Sequence, residues 1–428
     1  MKRVLKTSLI VTMVLLLLSA CQNDSNLMVE EEGLSGKLRI AIVSPTKVGN
    51  GRVHQLDEAS KGPLYDKLRD FQTQNPNLDI ELIDISFITD EPSTIPTDPL
   101  PDIIEVVPYQ TRWVAGPNEL ENLDPVVQLS GWNGAYAQLI DRTRVNGKAI
   151  MIPVKSEPMV VYYDEQIFGQ LNIPAPHESW TWDDFVSASQ QLNSNGFITD
   201  IPDKFDAVEP IIQGLGGAYT SEDGLHFIEH LDSDSTVAAF ERYVSDMRVQ
   251  RSNAANKGGQ KALGIGRPSD LYALLNDNIN LRIARMPLFA DGKRHNTMLT
   301  TGLAVSAESK NKTAAVELLK ALAGDNEGEA LRFANYNALV GMRFNYMDKP
   351  LLQQEELLRV MEMETANSVP ATFQLNPMFF NHYGILNERS KEFADVFPML
   401  FEPNSIKPAL EMLASHVETL FQTQRGNW

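Results

Sequence analysis

Cysteine is almost absent: the 428-residue chain carries one, Cys21. A disulfide framework needs pairs, and thiolate-held zinc or iron–sulfur sites need several, so these classes are excluded. Basic charge is also short. Thirty-seven Lys and Arg face 56 Asp and Glu, a formal net charge of −19. A nucleic-acid binder needs a basic stripe to meet phosphates, so that class is set aside. Neither a G-x-S-x-G elbow nor a P-loop occurs. What remains is globular in composition, with 43% hydrophobic, 22% charged and 8% aromatic residues, too apolar for a disordered chain. At roughly 150 residues per domain, the length suggests two or three domains.

The N-terminus opens on Lys2, Arg3 and Lys6, then runs uncharged from Ser8 to Leu18. That order is the n-region and h-region of a secretory signal. The apolar run falls short of the roughly 20 residues a spanning helix requires. Leu18-Ser19-Ala20-Cys21 comes next and resembles the lipobox of bacterial lipoproteins. The resemblance implies cleavage after residue 20 and a diacylated, palmitate-bearing Cys21 as the mature N-terminus. Cleavage takes away three basic residues and no acid, leaving 34 basic against 56 acidic, or −22. The stretch to residue 35 is polar, acidic and aperiodic, so residues 21–35 read as a flexible tether. Like charge holds such a body off anionic lipids.

Beyond the tether, Lys37 to Val43 begins with period-2 alternation and reads as a strand. Gly62-Pro63 precedes Leu64, Tyr65, Leu68 and Phe71, spaced as one helical face. Leu78 to Phe87 alternates as a second strand, and Asp102 to Val107 is a third, apolar after Asp102 except for Glu105. Strands interleaved with helices predict parallel α/β sheets, with ligand at the carboxyl ends of the strands. Further on, Ala149 to Val154 and Met159 to Tyr163 read as strands, and Asp164 to Phe168 as a short helix. Thr181 caps a helix beginning at Trp182, with Asp184 at N3 in a capping-box-like arrangement; that helix is expected to end near Asn195-Gly196.

Several blocks now carry a resemblance. Pro101-Asp102-Ile103-Ile104, Asn146-Gly147-Lys148 through Pro153-Val154, Val161-Tyr162-Tyr163-Asp164, Thr181-Trp182-Asp183-Asp184, Gly302-Leu303-Ala304-Val305-Ser306 with Lys310 to Leu319, and Gly341-Met342-Arg343 occur in order. Together they resemble the extracellular solute-binding proteins of ABC importers, of the maltose-binding, family 1 type, over about residues 37–420. The resemblance implies a periplasmic-binding-protein-like (type II) fold: two α/β lobes joined by a hinge, with a cleft between them. Lobe 1 is expected at 36–153 plus 286–345, and lobe 2 at 154–285 plus 346–428. Closure on ligand is then a hinge motion.

The same resemblance nominates site residues. Glu157 stands where maltose-type members place a glutamate on sugar hydroxyls. Tyr109 and Gln110 follow the third strand at its carboxyl end. Tyr219 follows Gly216-Gly217 in a loop expected to face the cleft. Phe380 and His382 lie in a segment that carries a stacking aromatic in maltose-type members. Many members also stack a Trp in a G-P-W block; here Gly266-Arg267-Pro268-Ser269-Asp270 has none, so Arg267 or Asp270 would substitute polar contacts, and a maltodextrin-like ligand is put in question. Trp113, Trp132 and Trp182 are expected to pack structurally.

His226-Phe227-Ile228-Glu229-His230 matches H-x-x-E-H, but that zinc motif needs a helix. Gly224 before it and Asp232 to Ser235 after it argue for a helix starting only after Ser233. In a strand the two histidines would lie about 13 Å apart, too far for one zinc. No metal or cofactor is expected. The expected function is therefore binding without turnover: capture of a carbohydrate-type solute and delivery to an ABC permease, by a monomer lipid-anchored on the extracytoplasmic face of the cell membrane. A sensory lipoprotein, a binder of a non-sugar solute and, more remotely, a secreted hydrolase are the competing readings.

Overall fold

Two sets of strands, each with its own apolar face, organise the chain into two sheets. A computed structural model describes residues 33–43, 51–57, 60–85, 99–108, 119–202, 205–254, 259–324, 326–341, 353–376, 396–402 and 404–424. The first sheet contains β1 (Ser35–Val43), β2 (Val53–Gln55), β3 (Asn77–Ile85), β4 (Ile103–Val106), β5 (Ile152–Pro158), β10 (Asn296–Val305) and β11 (Ser368–Pro370). Its order is β11-β10-β4-β1-β3-β2, with β5 also on β10. The second contains β6 (Val160–Asp164), β7 (Ile198–Asp200), β8 (Lys261–Gly266) and β9 (Leu281–Ala284) in the order β7-β8-β6-β9.

The sheets are mixed, which corrects the expectation of parallel ones. β1 is parallel to β3 and β4, but β10 is antiparallel to β4 and β5. In the second sheet β6 is antiparallel to both neighbours. The cause is topological. The chain leaves the first sheet through β5 into β6 and returns through β9 into β10, so the outgoing and returning strands must run in opposite senses.

Each sheet is covered by amphipathic helices. Helix α1 (Pro63–Gln74) starts on a proline, which needs no N–H partner there, and buries Leu64, Leu68 and Phe71. With Ile40, Leu82, Tyr136 and Leu318 these side chains belong to the core of the first sheet. A second core, with no member in common, gathers Phe168, Phe185, Leu192, Phe205, Phe240 and Leu410. Full burial of one such side chain contributes about 1.5–3 kcal/mol, so dozens of them outweigh any single polar contact between the elements.

Two shorter helices, α2 (Asp124–Ser130) and α3 (Gly134–Arg142), lead into β5. The Tyr136 hydroxyl of α3 donates to the Pro153 carbonyl at 2.7 Å. After β6 come α4 (Glu165–Leu171) and α5 (Trp182–Ser194). The α5 capping box forms as expected: Thr181 Oγ1 accepts from Asp184 N, and Asp184 accepts from Thr181 N at 2.9 Å. Trp182 stacks on Phe185 and Phe289, and its indole N–H donates to Asp246. Trp132 packs edge-on to Tyr136.

Further along lie α6 (Phe205–Gly214), α7 (Asp234–Ala254), α8 (Pro268–Asp277), α9 (Lys312–Ala323), α10 (Glu327–Gly341), α11 (Gln354–Thr365), α12 (Thr372–Leu375) and α13 (Ile406–Gln424). The α7 start matches the helix expected after Ser233. His226 to His230 is neither helix nor strand but a turn, with Glu229 in the left-handed region at φ 68°. Its geometry is set by Asp232, which accepts from Glu229 N, and by Glu418 of α13, which accepts from Phe227 N and meets His226 Nδ1 at 3.2 Å.

Candidate functional site

The strand expected at Ala149–Val154 is shifted along the chain: it starts at Ile152 and runs past Val154, and that extension builds the site. β5 continues to Pro158, and its register against β10 slips: Thr301 faces Lys155 while Gly302 faces Pro153, leaving Val154 as an extra residue. Such a bulge bends a strand and re-aims its side chains. Gly302 permits it, because a Cβ there would lie 2.8 Å from the Ile152 carbonyl oxygen. Helix α10 satisfies the carbonyls along this stretch: Asn337 donates to Val154 O at 2.8 Å and Asn335 to Ser156 O at 2.7 Å.

One result is a buried ion pair near the carboxyl end of β4. Glu105 is fully buried, and its carboxylate accepts from Lys155 Nζ at 2.6 Å, Thr301 Oγ1 at 3.0 Å and Val43 N at 3.0 Å. Lys155 keeps 15% of its side chain exposed, so the pair touches solvent on the lysine side. Tyr65 of α1 lies within reach of this charge. Burial first, then the Glu105 and Asp84 carboxylates, push its phenol well above the ordinary tyrosine range.

A second polar cluster occupies the place where elements of the two sheets meet. Arg267 is 3% exposed. Its Nη1 donates to Glu157 O at 2.9 Å and Thr297 O at 3.2 Å, so it ties the start of α8 to β5 and β10. Its Nε lies 3.5 Å from the Asp206 carboxylate on α6. The buried Glu157 side chain turns to the first turn of α8 and accepts from Ser269 N at 2.5 Å. That is the favourable place for a carboxylate, at unsatisfied N–H groups and the positive end of the helix dipole. Burial nonetheless raises the Glu157 pKa. Glu209 of α6 is buried as well and accepts from Thr372 N at 3.2 and 3.1 Å and from Thr372 Oγ1 at 2.6 Å. Burial pushes its carboxyl up to about 7, against the pull of the Thr372 hydrogen bonds. Gln374 closes the cluster by accepting from Thr300 N at 2.7 Å.

The crossing itself is pinned by amides. Asn296 accepts from Met159 N at 3.1 Å and donates to Met159 O at 2.9 Å, bridging the outgoing and returning chain. It also donates to the buried Glu364 at 2.8 Å, which takes Arg285 Nε at 2.8 Å on its other oxygen. These bonds concentrate donors, acceptors and carboxyls of raised pKa at the joint between the sheets.

The nominated residues fare unequally. Glu157 and Arg267 come together, but both are committed to protein partners. Asp270 is exposed in the first turn of α8. Tyr219 does not face a cleft: it is 1% exposed, stacks on Phe240, meets Phe205 edge-on and donates its hydroxyl to Phe205 O at 3.1 Å. The turn at Gly216, with φ 95°, sends the chain back into the core and takes the ring with it. Tyr109, Gln110, Phe380, His382, Trp113 and Cys21 lie outside the described residues. Sequence reasoning misses Glu105, Lys155, Asp206, Glu209 and Thr372. Glu105 alone leaves a sequence signal, as the one charge in an apolar strand. Among the described residues no group of three or more His, Cys, Asp or Glu could hold a metal ion, and no helix is long and apolar enough to cross a membrane.

The architecture has counterparts among known proteins. The family described as bacterial extracellular solute-binding protein matches residues 68–356. Curated proteins yield no match. Among solved structures, the GacH receptor of Streptomyces glaucescens, studied unliganded and with acarbose, is 15% identical; the match covers 92% of this chain and 100% of that one, with a TM-score of 0.59. A cyclo/maltodextrin-binding protein complexed with maltotetraose is 13% identical over 92% of this chain and 99% of its own, TM-score 0.64. The cyclic alpha-maltosyl-1,6-maltose binding protein from Arthrobacter globiformis is 13% identical over 91% and 100%, TM-score 0.62. At these identities the likeness establishes the fold: two α/β lobes of the periplasmic-binding-protein type.

Proposed function

We propose, from the premise that this chain belongs to the bacterial extracellular solute-binding protein family, that it captures a carbohydrate-type solute between its lobes and hands it to an ABC-type permease. The lobes are taken as 36–153 plus 286–345 and 154–285 plus 346–428. The observation that carries this reading is the cluster of Glu157, Arg267 and Asp206 at the joint between two sheets, with the Glu105–Lys155 pair held by the same strand, β5. Hydroxyl-rich ligands are held by such convergent carboxyl, guanidinium and amide groups. The likeness, over 92% of this chain, to proteins solved with acarbose and maltotetraose supports a sugar over other solutes. Glu157 then acts mainly as a positioning residue, holding α8 against β5. Tyr109, Gln110, Phe380 and His382 stay candidates for direct contact, and Asp270 for contact from the α8 start.

A thermal-shift series with maltose, maltotetraose and acarbose tests this. A ligand that binds only the folded state stabilises it by about 2.7 kcal/mol at a hundred times its Kd. The expected result is a saturable rise in Tm with at least one oligosaccharide and no product on prolonged incubation. Flat curves with every sugar would remove the carbohydrate reading; sugar consumption would bring back the hydrolase.

The anchor is a separate part of the proposal, resting on Leu18-Ser19-Ala20-Cys21. A single acyl chain holds a protein at a membrane only marginally, whereas two hold it stably. Cys21→Ser is therefore expected to move the protein from the membrane fraction to the medium, and mass spectrometry should find a diacylglyceryl N-terminus on wild type only. An unmodified wild-type Cys21 would overturn the anchor without touching the solute.

A further inference from the structure

Away from the polar joint, a cavity of about 150 Å³ opens between α11, the end of β9 and the loop before α5, lined in part by Pro176, His177, Glu178, Arg285, Arg359 and Met363. It has room for a small ion with its water but not for an oligosaccharide. Two arginines and a histidine meet here on a chain that is acidic overall. Arg285 comes from the segment after β9, Arg359 from α11 and His177 from the loop.

Arg294 backs the cluster. Its side chain is 4% exposed, its Nη2 donates to the Glu178 carbonyl, and its Nε has no hydrogen-bond partner among the described residues. Burial, and next the neighbouring Arg285 charge, hold its guanidinium below the usual arginine value. The Glu178 and Glu364 carboxylates pull the other way, so the charge of the cluster rests on which acids stay in place.

The acids nearby differ in how firmly they are committed. Glu364 is buried and engaged by Arg285 and Asn296. Glu356, a turn before Arg359, is engaged by the Ile283 backbone and by Arg282 as well as Arg359. Glu178 is different: its side chain is 71% exposed, and it meets Arg285 at 2.8 Å and Arg294 at 3.3 Å. Glu178 is the solvent-facing partner of both contacts, so its carboxylate can turn into water while the arginines stay in place. It is therefore readily exchanged for a better acceptor.

We propose that this cavity is a binding site for a small tetrahedral oxyanion, inorganic phosphate, held by Arg285 and Arg359 in place of the Glu178 carboxylate. Arginine forks match phosphate oxygens two at a time, and a tetrahedral anion in the cavity presents oxygens to both of the arginines that line it. The site is distinct from the joint assigned to the solute, so it stands whether or not a sugar binds.

The test is a titration of the protein with inorganic phosphate, with ionic strength held constant by sodium chloride, read by Tm and by calorimetry. The expected result is a saturable stabilisation with one phosphate per chain. Arg359→Gln, at an exposed helix position, should weaken it by about tenfold or more, and Glu178→Gln should tighten it severalfold. Both positions lie on the surface, so both variants are expected to fold. Identical curves in phosphate and chloride would overturn the proposal, as would unchanged affinity in Arg359→Gln.

Discussion

Lys155→Met is expected to destabilise the fold by about 3–5 kcal/mol, because it strands the Glu105 carboxylate in the first core. Glu105 has no exposed surface and would retain only Thr301 Oγ1 and Val43 N. Two hydrogen bonds do not replace a cation at 2.6 Å when the carboxylate cannot reach water. The methionine fits the lysine's track and fills its apolar volume, so the loss is electrostatic rather than a packing defect. The double variant Glu105→Gln with Lys155→Met separates the two. With both charges gone, most of the loss should return, since a buried pair is often worth little against neutral groups of similar shape. Urea unfolding of wild type, both single variants and the double variant gives the coupling. Additive losses would mean that Lys155 acts through packing and that the pair is incidental. Should the single variant also lose solute affinity while the double recovers stability alone, Lys155 would join the binding groups, as its partial exposure allows.

The bulge that creates this pair shows where sequence reading stops. Alternation locates β1, β3, β4 and β6 to within a few residues, because one face of each is apolar. The helix starts at Pro63 and Trp182 are legible from proline and from the Thr181–Asp184 box. These signals are local. Periodicity ends β5 at Val154, because Lys155-Ser156-Glu157 looks like a solvated hinge. In the structure those residues are a strand whose polar groups are taken by α10, β4 and α8 from far along the chain. Periodicity carries no information about partners so distant in sequence.

The site is only partly legible for the same reason. Glu157 and Arg267 stand out through a resemblance of motifs, and the fold brings them together. Their roles differ from the nominated ones, since the glutamate caps a helix and the arginine binds carbonyls. Tyr219 illustrates the opposite error: a tyrosine after two glycines looks like a loop residue until the turn at Gly216 returns it to the core. Glu209 lies within an apolar helical face, Val208 to Ile212, where a lone carboxyl reads as one polar residue of an amphipathic helix. Only the tertiary contact with Thr372 reveals that it is buried.

That burial has a consequence measurable in solution. In the folded chain Glu209 keeps its proton up to about pH 7, whereas in the unfolded chain it loses it near the ordinary value of 4.5. Between those limits the folded state binds more protons than the unfolded state, so stability falls as pH rises. The contribution is fully present below about 4.5 and gone above about 7. The gap, at about 1.36 kcal/mol per pH unit, amounts to about 3 kcal/mol. Glu209→Gln mimics the protonated acid and keeps an acceptor for Thr372. It is expected to match wild type near pH 4.5 and to exceed it by up to about 3 kcal/mol at pH 8. Unfolding free energies of both proteins across that range check this. Glu157 and Glu364, also raised by burial, titrate in both proteins and cancel in the difference. Parallel profiles would show that Asp206 and Arg267 beside Glu209 compensate its charge, and that the carboxylate is ionised at the joint throughout. Curves that separate as pH rises would instead show that burying the Glu209 charge, at the contact that links α6 to the edge of the first sheet, costs more than the Thr372 hydrogen bonds return. Solute affinity that depends on how the two sheets sit should then shift over the same window in wild type and not in Glu209→Gln.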